Sequence, residues 1–187
     1  MRKFTAFLLA LVLLLPALAL AEEAPAFDFT AEEWLERYAA LVPEDDPYYF
    51  TEFNNPELVG QTSRFFFRRQ EFSTSAEYIE VDSLKKDAGV CVIWISAPLI
   101  TNRGAIEPDL LLESNENLRT IAERCILATD PMLTSEDIQA ICSDLGMFGY
   151  SEDLLYDPVS VQKNGITYTF GVGPYIAISM VDDPSIF

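Results

Sequence analysis

From Phe29 onward the apolar positions recur at a helical period: Trp34, Tyr38, Leu41 and Val42. Thr30 precedes them as a cap and Glu33 is spaced to reach back to it. Phe29 and Trp34 stand where a hydrophobic staple would fix the entry. Pro43 ends this predicted helix, and residues 43–47 read as an acidic turn.

The period then shortens to two. Tyr48 to Phe53 reads as a first strand, with Asn54, Asn55, Pro56 and Gly60 punctuating the loop after it. Arg64 to Gln70 alternates, with Phe65 and Phe67 on one side and Arg64, Phe66 and Arg68 on the other. Tyr78 to Asp82 alternates as well, Ile79 and Val81 against Tyr78, Glu80 and Asp82. Val90 to Ile95 is apolar on both phases, the pattern of a strand buried in the middle of a sheet.

Residues 98–114 read as an irregular connection with a helical turn at Leu110 to Leu112. A helix follows from about Asn115 to Thr129, with Leu118, Ile121, Ala122 and Cys125 on one face. Asp130 and Pro131 break it. Thr134 caps a further helix, whose apolar face is Ile138, Ile141, Cys142 and Leu145, and Gly146 suits the position just past its end. Val159 and Val161 lead into Asn164-Gly165, a two-residue hairpin signal, and Ile166, Tyr168 and Phe170 continue beyond it. Gly171 to Gly173 reads as a bend before a last strand at Tyr175 to Val181.

One helix, a run of strands, two helices and a second run of strands are grouped rather than strictly alternating. This order predicts an α+β single domain: a mainly antiparallel sheet packed against an N-terminal helix and a central two-helix unit.

The first 21 residues follow a different pattern. Arg2 and Lys3 precede an apolar run from Phe4 to Leu15, Pro16 breaks it, and Ala19-Leu20-Ala21 supplies small residues. This is the layout of a secretory signal peptide cleaved between Ala21 and Glu22. The expected organisation is therefore a signal at 1–21, a flexible lead at 22–28 and a single domain at 29–187. No Cys stands immediately after the expected cleavage point, and no second long apolar run follows the first. The expectation is a secreted, extracytoplasmic protein with no stable membrane anchor after cleavage.

Charge narrows the partners. The chain has 30 acidic and 12 basic residues and a net charge of −18. Such a surface lacks the basic footprint that nucleic acid requires. It suits solubility and cationic partners. There is no His, which removes Ser-His-Asp and Cys-His catalysis and most catalytic zinc sites. No phosphate loop, metal-ligand spacing or cofactor motif is present, so no metal and no cofactor are expected.

Three Cys remain. Cys125 and Cys142 fall on the apolar faces of consecutive helices and are candidates for a disulfide, the alternative being two reduced core thiols. Cys91, inside the apolar strand, reads as a buried free thiol. The candidate binding surface is Arg64, Phe66 and Arg68 with Tyr78 on the next strand. There a guanidinium could hold a carboxylate or stack on an aromatic ring. The competing reading sets the arginines across from Glu80 and Asp82, so that they neutralise one another. The paired acids Glu32/Glu33, Asp45/Asp46, Glu152/Asp153 and Asp182/Asp183 read as solvated turns or helix starts.

The function these features favour is a non-catalytic domain that binds a protein or cell-envelope component. The alternatives are a carboxylate-dependent glycan hydrolase, and a structural or inhibitory accessory protein.

Overall fold

Thr30 does cap the first helix. Its hydroxyl accepts from the Glu33 backbone, and the Glu33 carboxylate accepts from the Thr30 backbone at 2.7 Å, closing the box that opens α1 (Ala31–Leu41). The computed structural model describes residues 27–59, 66–72, 77–83, 88–98, 108–147, 157–172 and 175–181, and these form an α+β unit. Seven strands make one antiparallel sheet: β1 (Asn55–Val59), β2 (Phe66–Glu71), β3 (Tyr78–Ser83), β4 (Val90–Pro98), β5 (Val159–Lys163), β6 (Ile166–Val172) and β7 (Tyr175–Val181). Their spatial order is β1-β2-β3-β4-β7-β6-β5. The strand predicted to be central, β4, is the middle one.

Two helices separate β4 from β5 in sequence: α2 (Pro108–Thr129) and α3 (Ser135–Asp144). The three helices among the described residues lie on one face of the sheet. The long α2 packs against β4 and β7, α1 reaches β3, and α3 reaches β5. Trp34, Tyr38, Leu118, Ile121, Cys125 and Ile126 meet Ile79, Ile93, Ile95, Tyr168 and Phe170 in one core. The Trp34 indole N–H donates to Thr129 Oγ1 at 3.1 Å, and Tyr38 donates to the Tyr48 carbonyl. Both large rings thus enter the core without an unmet polar atom.

Three boundaries differ from the sequence reading. Tyr48 to Phe53 is not a strand. Tyr48, Phe50 and Phe53 are buried in a turn region, where Tyr38, Phe50 and Phe72 pack ring against ring. Aromatic content rather than alternation governs this stretch, and the first strand instead begins at Asn55. Secondly, α2 starts at Pro108, well before Asn115. Proline is favoured in the first helical turn, where its missing N–H costs nothing. Thirdly, β6 runs through Gly171 to Val172, so Gly171 belongs to a strand.

The hairpin signal holds. Asn164 and Gly165 both have positive φ, 52° and 85°, as a tight two-residue turn requires. The same hairpin docks on the helices. Asn164 donates to Asp130 at 2.7 Å, and Lys163 pairs with Asp137 at 2.8 Å, the residue that completes the Thr134 capping box of α3.

Candidate functional site

Strand register decides what each face of the sheet carries. β2 and β3 pair with Arg68 opposite Val81 and Arg69 opposite Glu80. Arg68 therefore shares the helix-covered side with Ile79 and Val81, where it is buried and ion-paired with Glu32 of α1. Tyr78 is on the opposite side, so Arg68 and Tyr78 do not form one surface. Phe66 lies at the β2 position opposite Ser83, and Arg64 lies outside the described residues. Of the expected surface of Arg64, Phe66, Arg68 and Tyr78, the described part separates: Arg68 and Tyr78 stand on opposite faces. The physical reason is the ambiguous phase of β2, which has phenylalanines on both sides. β3 has the clean pattern, and it fixes the register.

The arginine that meets the acids is Arg69. Its guanidinium lies over the Tyr78 ring at 3.6 Å, 3.3 Å from Glu71 and 4.0 Å from Glu80. Glu80 faces Trp94 of β4, Tyr78 faces Ser96, and Asp82 faces Val92. The row continues across β7 to β6, where Thr167 and Thr169 stand on the same side. On this face, helix-free in the sense that no helix among the described residues covers it, Cys91, Val92 and Trp94 form a small apolar cluster separate from the main core. A bulge after Asp82 puts Ser83 opposite Val90 and leaves Cys91 as the extra residue. That shift turns Cys91 away from the helices.

Unmet polar atoms concentrate here. Among the described residues, five buried side-chain atoms lack a hydrogen bond: Arg69 Nε, Asp82 Oδ1, Ser96 Oγ, Thr167 Oγ1 and Tyr168 Oη. All but Tyr168 lie on the helix-free face. Burial, with Glu80 nearby, pushes the Asp82 carboxyl up to about 7, against a hydrogen bond from Trp94 that favours the charged form. Burial also raises Glu80, and Arg69 opposes that rise. The two carboxyl groups project from positions two apart on one strand, about 6.6 Å along it.

The cysteines offer no comparable chemistry. Cys91, Cys125 and Cys142 are buried free thiols, so Cys125 and Cys142 fit the alternative of two reduced core thiols rather than the candidate disulfide. Cys125 interacts electrostatically with Tyr38 of α1, whereas Cys142 senses Glu123 and Arg119, further back along α2. The two thiols thus look at different neighbours. Burial pushes Cys142 up to about 12 and Cys125 well above its ordinary value, so neither is a ready thiolate.

Elsewhere, Arg124 makes a two-pronged pair with Asp46 at 2.9 and 2.6 Å, tying the turn after α1 to α2. The Arg124 hydrogen bonds hold the Asp46 carboxyl below its usual range. A shallow groove of about 290 Å³ lies beside this pair, lined by Leu41, Leu127, Ile138 and Gln139 among others. Among the described residues, no group of three or more His, Cys, Asp or Glu is placed to hold a metal ion, and no helix is long and apolar enough to cross a membrane. The cleavage point at Ala21 and Glu22 lies outside the described residues.

The residues missed in the sequence are Arg69, Trp94 and Ser96. Trp94 and Ser96 had a signal: they occupy the phase opposite Ile93 and Ile95 in β4. Fold and site together define an α+β protein whose antiparallel sheet carries helices on one side and a polar, aromatic patch on the other. Comparison with protein-family models, with curated proteins and with solved structures finds no match to this chain.

Proposed function

We propose that this chain is an exported, non-catalytic domain that binds a protein or cell-envelope component through the helix-free face of its sheet. The observation that carries the reading is the concentration of unmet polar atoms there: Asp82 Oδ1, Ser96 Oγ and Thr167 Oγ1 beside the part-exposed Trp94 and Glu80. Buried polar groups are normally satisfied, and a cluster of exceptions on one surface is what a polar ligand would complete. The absence of His and the raised thiols support binding over catalysis. The leader pattern at 1–21 supports export. An intact mass beginning at Glu22 is expected for secreted material, and a full-length mass contradicts export.

Capture from the envelope fraction of the producing cells tests the binding reading. The wild-type chain should retain a partner that the Trp94→Ala chain loses. Equal retention by both, or none by either, counts against this face.

One observation favours a second reading, a carboxylate-dependent glycan hydrolase. Burial pushes the Asp82 carboxyl up to about 7 beside a second carboxyl, as a catalytic acid requires. In most glycosidases the two carboxyls flank the scissile bond. Here both rise from β3, so a sugar would lie over them rather than between them. A glycan panel incubated with wild type and Glu80→Gln separates the readings: product that vanishes in the variant favours the hydrolase.

A further inference from the structure

Of the six Asn in the chain, only Asn164 precedes a Gly; the others are followed by Asn, Pro, Arg, Glu or Leu. The difference matters because an Asn side-chain amide can be attacked by the backbone nitrogen of the next residue. A Cβ on that residue crowds the nitrogen and proline has no N–H to give up, whereas glycine presents neither obstacle. The fold leaves this pair open to the chemistry. Asn164 and Gly165 are both exposed, and a Cβ built on Gly165 would meet nothing within 4 Å. The ladder of the β5–β6 hairpin closes at Lys163 and Ile166, and among the described residues no backbone acceptor takes the Gly165 N–H.

The contacts of the amide give its loss a consequence. Asn164 Nδ2 donates to Asp130 Oδ2 at 2.7 Å, and Asp130 is buried just past the end of α2. The other Asp130 oxygen accepts from the Met132 backbone. The cation next in sequence, Lys163, is committed to Asp137 at 2.8 Å. Ile166, Tyr168 and Phe170, which follow the turn, are buried in the core.

We propose that Asn164 is a site of spontaneous deamidation, and that the carboxylate it produces faces Asp130 and releases the β5–β6 hairpin from the turn between α2 and α3. The Gly165 nitrogen loses its proton to water and bonds to Asn164 Cγ. The Cγ–Nδ2 bond breaks, and Nδ2 leaves as ammonia with a proton taken back from water, closing a succinimide ring. Water then opens the ring at either carbonyl, giving aspartate or isoaspartate, with no oxidation or reduction at any step. The product accepts where the amide donated, so Asp130 loses a hydrogen bond and gains a like charge at the same contact. Isoaspartate also adds a carbon to the main chain, inside a turn whose geometry fits two ordinary residues.

The test is incubation of the full chain in warm, mildly alkaline buffer, followed by peptide mapping with mass spectrometry. Asn164 should convert about tenfold faster than any other Asn, a difference of about 1.4 kcal/mol in barrier. Both aspartate and isoaspartate should appear at that position. Amide hydrogen exchange then reads the hairpin. The aged fraction, separated by its added negative charge, should exchange faster at Ile166 than fresh protein does. Asn164→Asp reproduces the simpler product and should speed exchange there about tenfold, about 1.4 kcal/mol of local stability. Adding Asp130→Asn returns a donor to the contact and should restore slow exchange, a rescue that a defect in the turn alone would not show. Conversion at Asn164 no faster than at the other Asn overturns the modification site. Unchanged exchange in the aged fraction and in Asn164→Asp, or no recovery in the double variant, overturns the release.

Discussion

On the helix-covered face, Ile79, Val81, Ile93 and Ile95 meet Trp34, Leu118 and Ile121, and every large ring but Tyr168 has its polar atom satisfied or needs none. On the other face the same strands present Glu80, Asp82, Trp94 and Ser96, and leave buried oxygens unpaired. Burial itself is similar: Ile93 is 0% exposed, Ser96 2% and Asp82 8%. What differs is chemistry. Apolar atoms lose nothing when water leaves, whereas an unpaired carboxylate oxygen does. One face therefore stabilises the fold, and the other holds buried polar atoms without a hydrogen-bond partner.

Mutations should separate the faces most clearly by size. Trp34→Ala removes a fully buried ring and the indole bond to Thr129. It should cost about 3 to 5 kcal/mol, read as a fall in Tm. Loss under about 1 kcal/mol would mean the helices do not rest on that ring as described.

Next comes pH. The folded state holds the Asp82 proton more tightly than the unfolded state does, so stability should fall as pH rises from about 4 through about 7. At about 1.4 kcal/mol per pH step the full effect is on the order of 4 kcal/mol. Asp82→Asn should abolish this slope and be more stable than wild type at pH 8 by roughly 2 to 4 kcal/mol. Asp46 has the opposite sign. Its lowered carboxyl contributes stability above its ordinary titration range, and that contribution is lost as pH falls through the depressed value. A denaturation series from pH 2 to pH 9 should therefore rise and then fall. Arg124→Ala should flatten the acidic limb and leave the neutral one.

The smallest effect is local. Thr134→Ala breaks the capping box of α3 and should cost about 1 kcal/mol by urea unfolding, with no change on the helix-free face. Thiol counting sharpens the comparison of the two cores. Unreduced, unfolded protein should show three free thiols, in keeping with Cys91 on one face and Cys125 and Cys142 among the helices.

Much of the covered face was legible in the chain. The Thr30 capping box, the Thr134 cap, the Asn164-Gly165 turn and the doubly apolar β4 depend on residues within a few positions of one another, where periodicity and cap chemistry act directly. The other face was less so. Which arginine meets Glu80 depends on a one-residue choice of register, and β2 offers phenylalanine on either phase. The bulge that turns Cys91 depends on Ser83 and Val90, which meet only once β3 and β4 pair. Tyr48, Phe50 and Phe53 looked like a strand because aromatics favour sheets, yet they fill space beneath Tyr38. Pro108 marked the true start of α2, but the apolar period alone pointed further along.

The most direct test of the contrast between the faces is the titration of the Asp82 side-chain carboxyl by carbon-detected NMR, with Asp82→Asn to assign the signal. A midpoint near 7 is the expected result, because a buried carboxyl with an unpaired oxygen resists ionisation. A midpoint near 4 would contradict the account: Asp82 would then be solvated or already paired, and the helix-free face would not hold a buried carboxyl lacking a hydrogen-bond partner.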